Sequence, residues 1–215
     1  MWPYSQSAMA DTYTLYSMQS SGNCYKPQLL MHLLGIPFRL IETDGARGET
    51  RTAEFLALNP NGRVPLLILP DGRTLSESDA MLLYLGEGTR YLPTDRFDRA
   101  LVNQWLFFEQ YEHEPTIAVA RSWISVYPER MAKVTEEQIA GWHEKGYRAL
   151  GVMEHQLAHH DWLVADAYSV ADIALYAYTH LAHEGRFDLG RYHGISRWIR
   201  RVAAEPGHIP LEWRP

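Results

Sequence analysis

Pro65-Leu66-Leu67-Ile68-Leu69-Pro70-Asp71-Gly72-Arg73-Thr74-Leu75-Ser76-Glu77-Ser78-Asp79 decides how the first half of this chain folds. Pro65 to Leu69 is a short unbroken apolar run, which suits a buried strand. Asp71-Gly72 is a strong hairpin-turn signal, so Arg73-Thr74-Leu75 reads as the return strand. Ser76-Glu77-Ser78-Asp79 then opens a helix. Ser76 is a good N-cap, and Asp79 stands at the acidic position of a capping box. Met81, Leu82, Tyr84 and Leu85 carry that helix onward.

Working outward, Thr12-Tyr13-Thr14-Leu15-Tyr16 is β-branched and aromatic, as strands are. A polar loop, Ser20-Ser21-Gly22-Asn23, follows it. Leu29, Leu30, Leu33 and Leu34 recur at helical spacing, and Gly35 supplies the stop. Phe38-Arg39-Leu40-Ile41 alternates like a second strand, so the chain opens β-α-β with a short crossover and parallel pairing. Thr52 to Leu58 reads as a short helix ended by Asn59-Pro60-Asn61-Gly62. The full order, β-α-β then α-β-β-α in about 80 residues, is the thioredoxin-like arrangement.

Gly86 to Pro93 reads as a linker, and everything beyond Thr94 reads as helical. One long helix is expected from Asp95 to about Ser122, kinked or ended by Pro115. Another is expected from Glu136 to His159. Ser169-Val170-Ala171-Asp172 is a capping box ahead of an apolar helix over Ile173 to Leu181, and a short terminal helix covers Ile195 to Val202. The expected fold class is therefore α/β plus all-α. Residues 1–10 are expected to be a flexible extension in which Met9 is a candidate start. Residues 11–88 form the thioredoxin-like domain and residues 95–215 a helical-bundle domain.

Composition narrows the function classes. The 215 residues are 46% apolar, enough for a sizeable core. A net charge of -6 argues against nucleic acid as a partner, because phosphate binding needs a basic face. Cys24 is the one cysteine, which excludes an internal disulfide and a cysteine-built zinc site. Ten histidines include His155 and His159 four apart, with no His-Glu-x-x-His pattern, so no metal is expected. No signal peptide or membrane-length apolar run is present, and a cytoplasmic protein with no membrane partner is expected.

Four segments in this order and spacing resemble the cytosolic glutathione transferase family: Ser20 to Lys26, Asn59 to Pro65, Leu75 to Ser78, and Ser169 to Asp172. The resemblance covers nearly all of residues 12–205 and implies glutathione as co-substrate. A free thiol has a pKa near ~8.5, so such an enzyme must stabilise the thiolate with a donor at the sulfur. Similarity to the serine-type members places the activating hydroxyl at Ser21. Asn23 supplies a second donor, and Ser20 is the nearest competitor. Ser21 and Asn23 are also what a helix cap requires, and that reading stands beside the catalytic one. Cys24 at a helix start offers mixed-disulfide chemistry, as in cysteine-type members, although their cysteine matches Asn23 more closely.

The resemblance assigns the rest of the peptide too. Folds of this type carry a cis proline at Val64-Pro65, where the Val64 backbone pairs with the cysteinyl unit. Ser78 takes the γ-glutamyl carboxylate through its hydroxyl and N–H, and Glu77 lies near the ammonium. Arg51 and Arg63, with Asn61 as a further possibility, face the glycyl carboxylate. A small hydrophobic electrophile is expected between the halves, near Tyr111, Glu114, Ala118, Arg121 and Trp123. The family implies a homodimer. Three functions stay open: conjugation to an electrophile, glutathione-dependent disulfide or peroxide reduction, and a non-enzymatic interaction module.

Overall fold

A computed structural model describes residues 12–215; the expected extension over residues 1–10 lies outside them. The chain divides into two compact units. One runs to Leu85 and includes Ile209–Pro215; the other is Gly86–His208. The helical unit thus begins earlier than residue 95 and closes before residue 215. The C-terminal residues are tied back to the first unit. Tyr25 donates its hydroxyl to the Ile209 carbonyl at 2.6 Å, Trp213 packs edge-on against His32 at 4.8 Å, and Arg214 pairs with Glu42 at 3.6 Å.

The first unit is a four-stranded mixed sheet with helices. Its elements are β1 (Tyr13–Ser17), α1 (Gly22–Leu33), β2 (Phe38–Glu42), α2 (Ala53–Leu58), β3 (Leu66–Ile68), β4 (Thr74–Ser76) and α3 (Ser78–Gly86). The sheet order is β2-β1-β3-β4, with β1 and β2 parallel and the other pairs antiparallel. This is the thioredoxin-like order expected. Leu15, Leu29, Leu30, Leu66, Leu67 and Met81 are fully buried. Most of α1 is buried, including its polar residues Lys26 and Gln28, so it carries no clean apolar stripe. Gln28 stays satisfied by donating to the Ser17 hydroxyl at 2.7 Å.

The start of α3 departs from the expected capping box. Ser76 is the last residue of β4, and Glu77 precedes the helix with a left-handed φ of 69°. Asp79 does not turn back to cap; it faces Lys26 of α1 at 3.0 Å. Buried Lys26 needs a counter-charge more than the helix end needs a cap, because an unpaired buried ammonium is the costlier defect.

The second unit is all helical. α4 (Arg96–Phe108) starts on Asp95, whose Oδ1 accepts from the N–H groups of Phe97 and Asp98. Pro115 does not end it. The helix continues by wide π-type turns over Glu109–Ala118 and, after Val119–Arg121, over Ser122–Val126. Pro115 brings no N–H to the ladder, and Thr116 donates its hydroxyl to the Glu112 and His113 carbonyls at 3.0 Å each. α5 (Glu136–Leu157) has a capping box from Thr135 and Gln138. α6 (Val170–Thr179) is buried along its whole length, and α7 (His193–Ala203) closes the unit. α7 approaches α5 at Gly194, where a Cβ would fall 2.6 Å from the Leu157 carbonyl carbon.

Asp172 organises this unit. Fully buried, its carboxylate accepts from Ser169 N at 2.9 Å, Ser169 Oγ at 3.0 Å, Leu163 N at 3.1 Å and Trp198 Nε1 at 2.8 Å. The expected capping box is present, and the same carboxylate also ties α6 to α7 and to the loop before it. Burial pushes the Asp172 carboxyl up to about 6, and the donors, Trp198 foremost, oppose that rise.

Candidate active site

The β1–α1 loop is held before any ligand is considered. Ser21 N–H donates to the Met18 carbonyl at 3.0 Å, Met18 N–H to Cys24 Sγ at 3.3 Å, and Gln19 N–H to Glu42 Oε1 at 2.7 Å. Ser21 is the N-cap of α1, with its Oγ accepting from Cys24 N–H at 3.3 Å. The capping reading of Ser21 is thus observed. A hydroxyl that accepts one bond also has a proton to donate, and here that proton lies within reach of the Cys24 thiol. Ser20 and Ser21 are both half-buried in this loop.

Cys24 is fully buried behind the loop, and burial pushes its thiol up despite the opposing hydrogen bonds from Ser21 and Met18. A protonated, enclosed thiol is a poor nucleophile. Sulfur chemistry at this helix start must therefore use an incoming thiol.

Asn23, in the first turn of α1, is brought against α3. Ser78 donates its hydroxyl to Asn23 Oδ1 at 3.4 Å, and Lys26 Nζ lies 3.3 Å from Ser78 Oγ. Asn23, Ser78, Lys26 and Asp79 form one polar cluster joining the two helices. Ser78 is buried, only 4% exposed, while Glu77 is exposed beside it. A non-glycine residue held at positive φ costs about 1 kcal/mol or more, and such strain concentrates at functional turns.

The Val64-Pro65 peptide is cis, as expected. β3 starts at Leu66, so Val64 stands outside the ladder. The preceding turn is fixed by Asn59: its Oδ1 accepts from Asn61 N–H at 3.1 Å and its Nδ2 donates to the Arg63 carbonyl at 2.8 Å. Arg51 and Arg63 are exposed. Arg51 ends the 3-10 turn Glu49–Arg51 and lies over Gly62, donating to the Asn61 carbonyl at 3.4 Å. The structure thus gathers the loop, cis-proline and α3-start residues on the first unit.

The four tentative second-substrate residues are not gathered. Tyr111 is 81% exposed and lines a cavity of about 660 Å³ with Pro115, Trp142, Lys145 and Arg148. Glu114, Arg121 and Trp123 are not among its lining. Arg121 is buried in an ion pair with Glu184 at 2.8 Å, and Trp123 packs against Trp142 at 6.1 Å.

Sequence reasoning missed Lys26, Asn59 and the inward role of Asp79. The signal for Lys26 was a lysine just ahead of the apolar run Leu29 to Met31; for Asn59 it was the Asn-Pro-Asn-Gly turn itself. Among the described residues no group of three or more His, Cys, Asp or Glu could hold a metal, and no helix is long and apolar enough to cross a membrane.

A thioredoxin-like unit whose cis proline leads into a strand, followed by a separate helical unit, defines a two-domain architecture. The sequence profile of the glutathione S-transferase N-terminal domain matches residues 20–87, and that of the C-terminal domain matches residues 118–206. The solved structure of a possible glutathione S-transferase from Rhodopseudomonas palustris superposes with a TM-score of 0.92 at 46% identity, over 95% of this chain and 100% of that one. The Disulfide-bond oxidoreductase YfcG of Escherichia coli is 28% identical over 86% of this chain and 87% of its own length. Ure2p in complex with S-hexylglutathione superposes with a TM-score of 0.82 at 26% identity, over 92% of this chain and 96% of that one. The chain belongs to the glutathione S-transferase family, an enzyme family whose co-substrate is glutathione.

Proposed function

We propose that this protein is a glutathione transferase of the serine type, which binds glutathione on its first unit and delivers the thiolate to a small hydrophobic electrophile. The observation that carries the reading is Ser21. Its Oγ is fixed at the start of α1 by Cys24 N–H, and its proton, which lies within reach of the Cys24 thiol, is the one that turns to an incoming sulfur. Lowering a thiol from ~8.5 to about 6.5 requires roughly 3 kcal/mol. One hydrogen bond to a charged group supplies ~1.5–3 kcal/mol, and a helix N-terminus adds up to ~1 kcal/mol. Ser21 and α1 therefore suffice, and Asn23 supplements them.

Binding follows from the same unit. The N–H groups at the start of nine-residue α3 suit the γ-glutamyl carboxylate at Ser78, and exposed Glu77 suits the ammonium. The backbone of Val64, off the ladder, suits the cysteinyl unit, and Arg51 with Arg63 suits the glycyl carboxylate. The thiol proton passes to solvent on binding. The sulfur lone pair then forms the S–C bond, and the leaving group departs with its electron pair. For the electrophile we keep Tyr111, Glu114, Arg121 and Trp123, of which Tyr111 is the most open. The protein acts in the cytoplasm as a homodimer, which sedimentation tests.

A second reading is glutathione-dependent disulfide reduction, in which two glutathiones reduce one disulfide and leave as oxidised glutathione. The likeness to YfcG favours it. Activity against aryl halides, hydroperoxides and hydroxyethyl disulfide separates the readings. Turnover of aryl halides alone supports conjugation; turnover of the disulfide alone overturns it.

A further inference from the structure

The turn that ends on Ser21 is held from two sides. Ser21 N–H donates to the Met18 carbonyl at 3.0 Å, so Gln19 and Ser20 are the central residues of a β-turn. That bond does not use the Gln19 N–H, which donates instead to Glu42 Oε1 at 2.7 Å. On the helix side, Cys24 N–H holds Ser21 Oγ at 3.3 Å. α1 therefore fixes one end of the turn, and Glu42 fixes its middle.

Glu42 is itself fixed. It is the last residue of β2 and pairs in register with Ser17, the last residue of β1. Thr43 N–H then donates to the Ser17 carbonyl at 2.7 Å. The backbone of Glu42 thus moves with the strand that leads into the turn. Its second carboxylate oxygen faces Arg214 at 3.6 Å, on the segment Ile209–Pro215 that returns to this unit. That segment is anchored on α1, where Tyr25 donates to the Ile209 carbonyl at 2.6 Å and Trp213 packs on His32.

A carboxylate beside this loop is an electrostatic liability for a thiolate. Burial is the main cause of the raised Cys24 thiol, and the Glu42 charge adds to that rise. Arg214 offsets part of the charge. The tether gives the carboxylate a use, because an anionic acceptor binds an N–H more strongly than a neutral one does.

We propose that Glu42 is a positioning residue for thiol activation: by holding the Gln19 N–H it fixes the turn that presents the Ser21 hydroxyl to the glutathione sulfur. The proposal rests on the reading above, in which Ser21 holds the thiolate. Charge and tether act on a bound thiol in opposite directions. The charge raises its pKa. The tether lowers it, because a misplacement of about 1 Å is enough to weaken a catalytic contact.

The opposed signs make the test. The full chain with saturating glutathione is titrated by the ultraviolet absorbance of the bound thiolate, in Glu42→Ala and Glu42→Gln. The Glu42 side chain is 50% exposed, so neither substitution opens a cavity. Alanine removes charge and tether together; glutamine removes the charge and keeps an acceptor for Gln19. The expected result is a bound-thiol pKa raised by about half a pH unit or more in Glu42→Ala, roughly a threefold loss of thiolate, and no rise in Glu42→Gln. In a Ser21→Ala background, Glu42→Ala should add nothing. An unchanged or lowered pKa in Glu42→Ala overturns the proposal and leaves Glu42 acting by charge alone. An equal rise in both variants overturns it too, as does a further rise in the Ser21→Ala background. A bound-thiol pKa in the unmutated protein equal to that of free glutathione, or no glutathione binding at all, would instead defeat the functional reading on which the proposal stands.

Discussion

Replacing Asp172 by alanine tests how the helical unit is held. The carboxylate receives four hydrogen bonds, and three come from buried N–H groups with fixed positions: Ser169 N, Leu163 N and Trp198 Nε1. Each orphaned buried donor costs ~1–3 kcal/mol, although the three are not additive. Removing a buried carboxylate also relieves its own desolvation, which offsets part of the loss. The expected net destabilisation is about 3 kcal/mol, well above the ~1 kcal/mol of a simple cap. For a chain of this size that lowers Tm by roughly 6–12 °C in scanning calorimetry. The carboxyl also carries a pH signature. Its folded pKa of about 6 lies above the ordinary 3.8, so between those values the native state holds a proton that the unfolded chain has released. This group stabilises the fold fully below about pH 4, and that contribution is lost as pH rises through 6. The penalty of Asp172→Ala should therefore be about 1 kcal/mol larger at pH 5 than at neutral pH. A Tm change of under ~2 °C would refute the reasoning, because it would mean the N–H groups find other partners at no cost.

Other outcomes follow from single contacts. Gly62→Ala places a Cβ against the Arg51 guanidinium at a φ of 62°, and should cost about 2 kcal/mol in urea unfolding and shift Arg51. Cys24 in the native protein should resist alkylation by iodoacetamide at neutral pH and react only after denaturation, as mass spectrometry would show; rapid native labelling would contradict the buried, protonated thiol. Trp198→Phe removes one of the four donors to Asp172 while keeping most of the ring volume, and should lose about 1 kcal/mol in the same unfolding assay.

Much of this was legible in the residues. Alternation at Phe38 to Ile41, the Asp71-Gly72 turn and the apolar run before it mark the strands and the hairpin, because strand period and turn chemistry are local properties. The loop at Ser21 and the cap at Ser169 are legible for the same reason. Lys26 and Asp79 are 53 positions apart, and nothing in either segment announces that they meet. Local logic therefore gave Asp79 to a capping box that does not form. Pro115 is expected to kink or end the helix; it does not end it, because the chain continues through wide turns in which Thr116 also donates its hydroxyl to the Glu112 and His113 carbonyls. The return of residues 209–215 to the first unit depends on Tyr25 and Glu42, far upstream. The second-substrate residues are expected from their place on or just after the first long helix, and position along a helix does not reveal that Arg121 is committed to Glu184 while Tyr111 lines an open cavity.

The central claim is that Ser21 holds the glutathione sulfur as thiolate. A pH titration of the thiolate absorbance of bound glutathione tests it most directly, in the unmutated protein and in Ser21→Ala. The expected result is a bound-thiol pKa about two units below the free thiol, returning most of the way in Ser21→Ala while glutathione still binds. An unchanged thiolate signal in Ser21→Ala, with the signal lost instead in Asn23→Ala, would contradict it.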